Sequence, residues 1–155
     1  MLKYVDTLVT FSEFPDEISL CINISGCPCH CIGCHSPYLA KDIGEPLYLT
    51  TLYSLVEKNA GITCIGLMGG DAEPKYVNLL AAGVKDLYNI KVGWYSGRSH
   101  LPSEIGLSNF DYIKLGNYDE KYGPLNSRTT NQIMLEIDNS CGKPITKDIT
   151  SKFWK

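Results

Sequence analysis

The sequence lacks a basic run, a long apolar run and any excess of positive charge. Its 14 lysines and arginines are outnumbered by 17 aspartates and glutamates, which gives a formal net charge of −3. Nucleic-acid-binding domains usually carry a basic patch or stripe, so no nucleic-acid partner is predicted. No apolar segment approaches the roughly 20 residues that a membrane-spanning helix requires, so no membrane association is predicted either.

The amino terminus lacks the features of a secretory signal. Met1 is followed by Leu-Lys-Tyr-Val-Asp, which has neither a basic flank nor a long apolar stretch. We therefore expect a cytoplasmic protein, in which thiols stay reduced. A length of 155 residues suits one domain with a single core, and we expect residues 1–155 to form that domain.

The sequence does have a high density of cysteine in one place. Four of its seven cysteines lie between Gly26 and Ser36, in the stretch G-C-P-C-H-C-I-G-C-H-S, which we call the cysteine loop. In a reducing compartment, clustered thiols bind metal or perform redox chemistry more often than they form disulfides. Seven is also an odd number, which fits a disulfide framework poorly.

Hydrophobic patterning predicts an α/β fold. Apolar residues alternate with polar or small ones from Ile18 to Ile24, as in a strand that runs directly into the cysteine loop. Further strands are predicted at 62–68, 90–95 and 110–115, with helices at about 50–59, after an N-cap at Thr50, and at 74–87, and one helical turn near 103–105. Alternating strands and helices favour a mostly parallel sheet with right-handed crossovers.

The carboxyl-terminal part of the chain is less regular. Residues 117–155 contain polar turns, one predicted strand at 133–137, and a short helix or docked tail at 148–155. No internal repeat or linker separates this segment from the rest. We therefore expect it to belong to the same domain.

Three chemically distinctive loops follow predicted strands. They are the cysteine loop, the turn Gly69-Gly70-Asp71 and the turn Ser96-Gly97. In parallel α/β sheets, ligands bind beyond the carboxyl ends of the strands. The three loops are therefore predicted to meet at one edge of the sheet and to form one site.

Cys27, Cys31 and Cys34 have the spacing C-x3-C-x2-C. Three thiolates on one tight loop can hold three corners of a [4Fe–4S] cluster. The fourth iron then has no cysteine ligand and is open to a small molecule. An iron–sulfur cluster is the interpretation that this spacing favours.

A structural zinc ion is the principal alternative, with Cys29, His30 or His35 as a fourth ligand. Structural zinc sites usually take their ligands as two pairs from separate segments. The remaining cysteines are isolated in the sequence and are expected to be buried or surface thiols; they are Cys21, Cys64 and Cys141. Disulfides or unligated thiols in the loop stay open as further alternatives.

The cysteine loop resembles the motif of the radical S-adenosylmethionine (SAM) enzymes. Within that family it is similar to the small activating enzymes of anaerobic ribonucleotide reductase, which carry Gly-Cys at the first and third cysteines and a histidine in the first spacer. The corresponding residues are Gly26-Cys27, His30-Cys31 and Gly33-Cys34-His35. Cys29 departs from the pattern because it is an additional cysteine within the first spacer.

The resemblance extends from about Ser25 to Gln132. Residues 68–71 resemble the Gly-Gly-Glu/Asp motif of the family, and residues 94–97 resemble its Trp-x-Thr/Ser-Gly segment. Residues 111–118 resemble an Asp-x-x-x-x-Gly-x-Tyr segment, with Leu115 where these enzymes often have aspartate. A closing Asn-Gln pair is present as well.

The resemblance implies a fold and an activity. The fold is a compact single domain containing a partial (β/α) barrel of the radical SAM type. The implied cofactors are a [4Fe–4S] cluster and SAM, which chelates the open iron and is cleaved by one electron to methionine and a 5′-deoxyadenosyl radical. That radical would generate a glycyl radical on the large subunit of anaerobic ribonucleotide reductase, with a reduced flavodoxin- or ferredoxin-type protein as electron donor.

The resemblance also assigns residues to the two cofactors. The metal ligands are Cys27, Cys31 and Cys34, and the expected SAM contacts are Gly33, Cys34, His35, Gly69, Gly70, Asp71 and Ser96. No catalytic residue is implied beyond the cluster and SAM. The local alternatives are a helix-capping role for Asp71 and a simple serine turn at Ser96.

Two other functions remain open at this point. One is a radical SAM enzyme that acts on a different target. The other is a zinc- or iron–sulfur-binding module without catalytic turnover, which would need the cysteine loop but not the Gly69–Asp71 and Ser96–Gly97 turns.

Overall fold

The computed structural model describes the whole chain, Met1–Lys155, and contains one eight-stranded sheet. Its strands are β1 (Lys3–Thr10), β2 (Ser19–Ile24), β3 (Glu45–Pro46), β4 (Cys64–Met68), β5 (Lys91–Tyr95), β6 (Tyr112–Leu115), β7 (Ile133–Asp138) and β8 (Ile145–Asp148). The α-helices are α1 (Leu49–Lys58) and α2 (Pro74–Leu87), and 3₁₀ helices lie at Pro37–Ala40, Leu107–Asn109 and Thr150–Phe153. Neither α-helix has the length and apolar character that crossing a membrane would need.

The sheet is mixed and open. Its strand order is β3-β1-β2-β4-β5-β6-β7-β8. The central strands β2, β4, β5 and β6 pair in parallel, whereas the strands on either side pair antiparallel. The predicted α/β architecture is confirmed, and the predicted parallel arrangement holds for the centre of the sheet. The sheet does not close on itself, because β3 and β8 are free edges.

Both α-helices cover the same face of the sheet. Alternate apolar residues of the central strands, such as Ile22, Leu67 and Trp94, pack against Leu52 of α1 and Leu80 of α2. All five side chains are fully buried. The apolar residues that alternate along the strands and those on one face of each helix therefore form one core, as the sequence pattern predicted.

The opposite face of the sheet has a smaller core built around Phe14. The Phe14 ring packs on Tyr95 and Tyr112, with centroid separations of 5.3 and 5.4 Å. It lies over the paired glycines Gly66 and Gly93, where an added Cβ would come within 2.8 and 2.3 Å of ring carbons. The two glycines therefore make room for the ring. Cys21, Cys64, Met134 and Ile149 complete this core, so Cys21 and Cys64 are buried thiols, as expected.

The predicted start of the first α-helix is wrong. Helix α1 begins at Leu49 and not after an N-cap at Thr50. The chain leaves the sheet edge just before that point, where the Leu47 amide donates to the Leu2 carbonyl at 2.9 Å. A single hydrogen-bonded turn lies where one helical turn was expected near 103–105, since the Ile105 amide donates to the Pro102 carbonyl at 3.2 Å, and a 3₁₀ helix follows at Leu107–Asn109.

The carboxyl-terminal segment is more regular than the sequence indicated. The predicted strand at 133–137 is β7, and the predicted helix or docked tail contains the 3₁₀ helix at Thr150–Phe153. Strand β8 was not predicted. All four of its residues are exposed, so no alternation of buried and exposed positions marks it in the sequence.

Candidate functional site

The three distinctive loops lie together at the carboxyl ends of the parallel strands. The cysteine loop follows β2, the Gly69–Asp71 turn follows β4, and Ser96 follows β5. Backbone bonds join the strand ends, since the Gly69 amide donates to the Tyr95 carbonyl at 3.1 Å and the Ser96 amide to the Lys114 carbonyl at 2.8 Å. The sequence prediction that these loops share one edge is confirmed.

The cysteine loop forms a cavity of about 220 Å³. Its base is held by two backbone bonds, from Gly26 to the Lys41 carbonyl at 3.0 Å and from Cys27 to the Leu39 carbonyl at 2.9 Å. Positive φ angles of 73° and 75° at Gly26 and Gly33 let the chain turn tightly around the cavity. Its walls are formed by Cys27, His30, Cys31, Cys34, Ser36, Pro37 and Ala40.

The cavity is lined by three thiols and is larger than one metal ion requires. All three cysteines of the C-x3-C-x2-C motif line it, and all are free thiols. No group of three or more histidine, cysteine or carboxylate side chains is placed to hold a single metal ion. The cavity volume is several times the roughly 30 Å³ that one water molecule occupies. A free space of this size beside three thiols has room for an iron–sulfur cluster.

Asp71 is a buried carboxylate beside this cavity. The residue is only 1% exposed. Ser96 donates its hydroxyl hydrogen to Oδ1 at 2.5 Å, and the Gly97 amide donates to Oδ2 at 2.8 Å. None of the four ion pairs in the structure includes Asp71. The donors to its two carboxylate oxygens are therefore neutral groups, and a buried carboxylate that makes no ion pair is a feature of binding sites for cationic ligands.

Cys29 faces Asp71. Its thiol donates to Asp71 Oδ2, with a sulfur–oxygen distance of 3.6 Å. Burial, followed by the charge of Asp71, raises the pKa of Cys29 to about 12. The residues that line the cysteine cavity do not include Cys29. The Cys29 thiol thus lies outside the walls of the cavity and faces Asp71, although it stays next to Cys27.

Ser96 and Arg98 complete the surroundings of Asp71. The Ser96 hydroxyl also accepts a bond from the Arg98 amide at 3.1 Å, so the serine forms the local turn that was the alternative to a ligand contact. The Arg98 guanidinium donates to the Asp71 main-chain carbonyl at 2.9 Å. Ser96 therefore positions the Asp71 carboxylate, whatever else it contacts.

Gly69 and Gly70 have φ angles of 111° and 96°, a region that favours glycine. The Trp94 indole donates to the Gly69 carbonyl at 2.8 Å and fixes the turn. A Cβ at Gly70 would lie 2.5 Å from Val77 of helix α2. The backbone turn and the packing against α2 therefore require glycine at these positions. The close approach to a ligand that the motif implies is an additional reason.

The segment after β6 packs against the last part of the cysteine loop. The rings of His35 and Tyr118 lie 4.9 Å apart. A Cβ at Gly33 would lie 2.9 Å from a Glu120 carboxylate oxygen and 3.4 Å from the Tyr118 ring. Gly33 and His35 thus sit at the rim of the site, where Cys34 enters the cavity.

Sequence reasoning missed Lys114 as a site residue. It lies on β6, it is 8% exposed, and no carboxylate pairs with it. Its ammonium donates to the Gly116 carbonyl at 3.2 Å and lies 5.1 Å from the centre of the Tyr95 ring. Burial lowers the pKa of Lys114, while the nearby Asp71 and Cys31 raise it. A lysine within an otherwise apolar, buried strand is the signal that could have identified it.

Comparisons with known proteins found nothing similar. No protein-family model, curated protein or solved structure matches this chain. The function proposed below is therefore supported by the site residues and by the resemblance of the cysteine motif.

Proposed function

We propose that this chain is a radical SAM enzyme that generates a glycyl radical on anaerobic ribonucleotide reductase in the cytoplasm. The observation that carries the proposal is the position of the cysteine cavity beside two buried, oppositely charged groups, Asp71 and Lys114. Neither group has an ion-pair partner within the protein. Buried charges are costly unless they are paired, so this arrangement calls for a ligand that carries both signs of charge.

The methionine end of SAM has the matching chemistry. Its α-ammonium suits Asp71, whose carboxylate is already oriented by Ser96 and Gly97. Its carboxylate suits the buried ammonium of Lys114, which lies near the carboxyl end of β6, a parallel strand separated from β4 by β5. Charge-assisted hydrogen bonds of this kind are about twice as strong as neutral ones. Asp71 and Lys114 would therefore bind and orient the amino-acid part of the ligand.

Cys27, Cys31 and Cys34 would hold the [4Fe–4S] cluster as thiolates. They line one cavity, and this supports their assignment as one ligand set. When bound, such a cluster would supply one electron for the reductive cleavage of SAM, which would give methionine and the 5′-deoxyadenosyl radical that oxidises a glycine of the partner. A reduced flavodoxin- or ferredoxin-type protein would deliver the electron.

We also propose that the open sheet is a partial (β/α) barrel of the radical SAM type. Four central parallel strands that carry the site at their carboxyl ends support this assignment. The sheet leaves β3 and β8 as free edges, so the site is not enclosed by a complete ring of strands. An open side suits a macromolecular substrate whose glycine must reach the site.

Anaerobic reconstitution tests the proposal. The protein is loaded with iron and sulfide, reduced and mixed with SAM, and 5′-deoxyadenosine is measured together with the electron paramagnetic resonance spectrum of the cluster. The proposal predicts a [4Fe–4S] signal that SAM perturbs, with release of 5′-deoxyadenosine. Stoichiometric zinc binding without SAM cleavage would overturn it in favour of a non-catalytic metal-binding module.

A second experiment identifies the target. The reduced, SAM-loaded protein is incubated with the large subunit of anaerobic ribonucleotide reductase, and a glycyl radical is sought by electron paramagnetic resonance. A glycyl radical supports the specific assignment. SAM cleavage without a radical on this subunit would leave a radical SAM enzyme that acts on another target.

A further inference from the structure

Cys29 can contact Asp71 because the fold has a glycine, Gly97, beside the thiol. A Cβ at Gly97 would lie 2.7 Å from the Cys29 sulfur and 3.2 Å from the Cys29 Cβ. Any side chain at position 97 would therefore push the thiol away from the carboxylate. The Gly97 amide also donates to Asp71 Oδ2, so one residue both holds the carboxylate and makes room for the thiol.

The Asp71 carboxylate accepts three hydrogen bonds, and these differ in strength. The Ser96 hydroxyl and the Gly97 amide bind at 2.5 and 2.8 Å and belong to the turn after β5. The Cys29 thiol binds at 3.6 Å. A thiol is a weak hydrogen-bond donor, whereas an ammonium makes a strong, charge-assisted bond to a carboxylate. The thiol is thus the donor that an incoming ammonium can replace.

We propose that Cys29 is a displaceable cap on Asp71. Before a ligand binds, its thiol occupies Oδ2 of the buried carboxylate; when the α-ammonium of SAM binds, it takes that position and the thiol moves aside. Cys29 then competes with the ligand ammonium for one carboxylate oxygen of Asp71. The proposal rests on the proposed function, because it assigns the Asp71 carboxylate to the SAM ammonium.

The first test measures SAM binding without turnover. Wild type and Cys29→Ala are reconstituted with the cluster and kept without reductant, and the dissociation constant for SAM is measured by equilibrium dialysis. Because the ligand no longer has to displace the thiol, we expect Cys29→Ala to bind SAM about 2- to 10-fold more tightly, the range set by one weak hydrogen bond. Cys29→Ser, which keeps a donor, should show no such gain.

The second test asks whether the gain acts through Asp71. In an Asp71→Asn background, Cys29→Ala should leave the dissociation constant unchanged, because the acceptor that both groups compete for is lost. An equal gain in both backgrounds would overturn the proposal. Iron content is measured in every variant, and a loss of iron in Cys29→Ala would overturn it too, since Cys29 would then be a cluster ligand.

Infrared spectroscopy distinguishes a cap from a merely structural role of Cys29, because only a cap changes its hydrogen bond when SAM binds. The S–H stretching band of Cys29 is isolated as the difference between wild type and Cys29→Ala, and it should shift when SAM is added. If Cys29→Ala lowers the melting temperature but leaves the SAM affinity unchanged, and SAM does not shift the S–H band of the wild type, the role of Cys29 as a cap is wrong and the proposed function still stands. Absence of SAM binding in the wild type would overturn the proposed function and the cap together.

Discussion

The carboxylate of Asp71 and the ammonium of Lys114 are both buried at the carboxyl ends of the parallel strands, and each lacks an ion-pair partner. They lie close enough for the charge of Asp71 to raise the pKa of Lys114 against the effect of burial. Two unpaired charges in such a place cost stability. Such charges are typical of functional sites, where a bound ligand supplies the opposite charges.

Asp71→Asn should weaken SAM binding by about 10- to 100-fold, because a charge-assisted hydrogen bond contributes about 1.5–3 kcal/mol. The substitution keeps the shape of the side chain and removes its charge. Equilibrium dialysis on the reconstituted, unreduced protein measures the effect. Asp86→Asn, on an exposed position of helix α2, is the matched control and should bind SAM as the wild type does. Equal affinity in both variants would contradict the assignment of Asp71.

Lys114→Met should stabilise the fold while it weakens SAM binding. Methionine has a similar length and no charge, so the variant avoids the cost of burying an uncompensated group, about 1–3 kcal/mol. Urea unfolding of the cofactor-free protein measures the stability, and dialysis measures the affinity. The exposed control Lys75→Met should change neither quantity appreciably. Loss of stability in Lys114→Met would show that the lysine serves the fold and not a ligand.

The stability advantage of Lys114→Met should depend on pH. Burial lowers the pKa of Lys114 below its ordinary value of 10.5, so the unfolded chain binds the proton more tightly than the folded one. The cost of the charge is fully present below the folded-state pKa, and it declines as the pH rises through that pKa toward 10.5. The difference in unfolding free energy between the variant and the wild type should therefore shrink with rising pH. A constant difference would contradict a lowered pKa.

The sequence was sufficient to predict the site loops because one physical rule places them. Parallel strands end at the same edge, so Asp71 and Ser96 had to lie near the cysteine loop once the strands were recognised. Cys29 and Lys114 were harder, because their roles depend on side-chain directions. The contact between Cys29 and Asp71 joins residues 42 positions apart and depends on an open space at Gly97. No spacing rule in the sequence encodes that contact.

The same reason explains the parts of the fold that were missed. Strand β8 is exposed at all four positions, so it has no hydrophobic pattern. It forms because its backbone completes the hydrogen bonds of β7, from Leu135 paired with Asp148 to Asp138 paired with Ile145. Pairing of this kind is set by the neighbouring strand and not by the segment itself.

Serine substitutions should separate the cysteines into two groups. Cys27→Ser, Cys31→Ser and Cys34→Ser each remove a thiolate from the cavity and should strongly lower the iron bound per chain after reconstitution. Cys29→Ser should retain the full cluster content, because its side chain faces Asp71. Cys141→Ser, at an exposed position after β7, is the control for loss of any thiol. Equal iron content in all five variants would contradict the assigned ligand set.

Gly93→Ala should destabilise the fold by about 1–3 kcal/mol, the usual cost of forcing an additional methyl group into a packed core. The new Cβ would lie 2.3 Å from carbons of the Phe14 ring, which is held between Tyr95 and Tyr112. The midpoint of urea unfolding measures the loss. Gly106→Ala is the matched control, since its new Cβ would lie 3.3 Å from the Asn109 amide nitrogen, which would have to shift by only a few tenths of an ångström.

A second substitution shows whether the ring is the cause. Phe14→Leu alone should destabilise the protein, because it removes part of a fully buried ring. In combination with Gly93→Ala it should cost less than the sum of the two single changes, since the smaller leucine leaves room for the new methyl group. Additive losses would mean that Gly93 is required for its backbone and not for the space above it. The glycine pair on β4 and β5 would then have to be explained by the strands themselves.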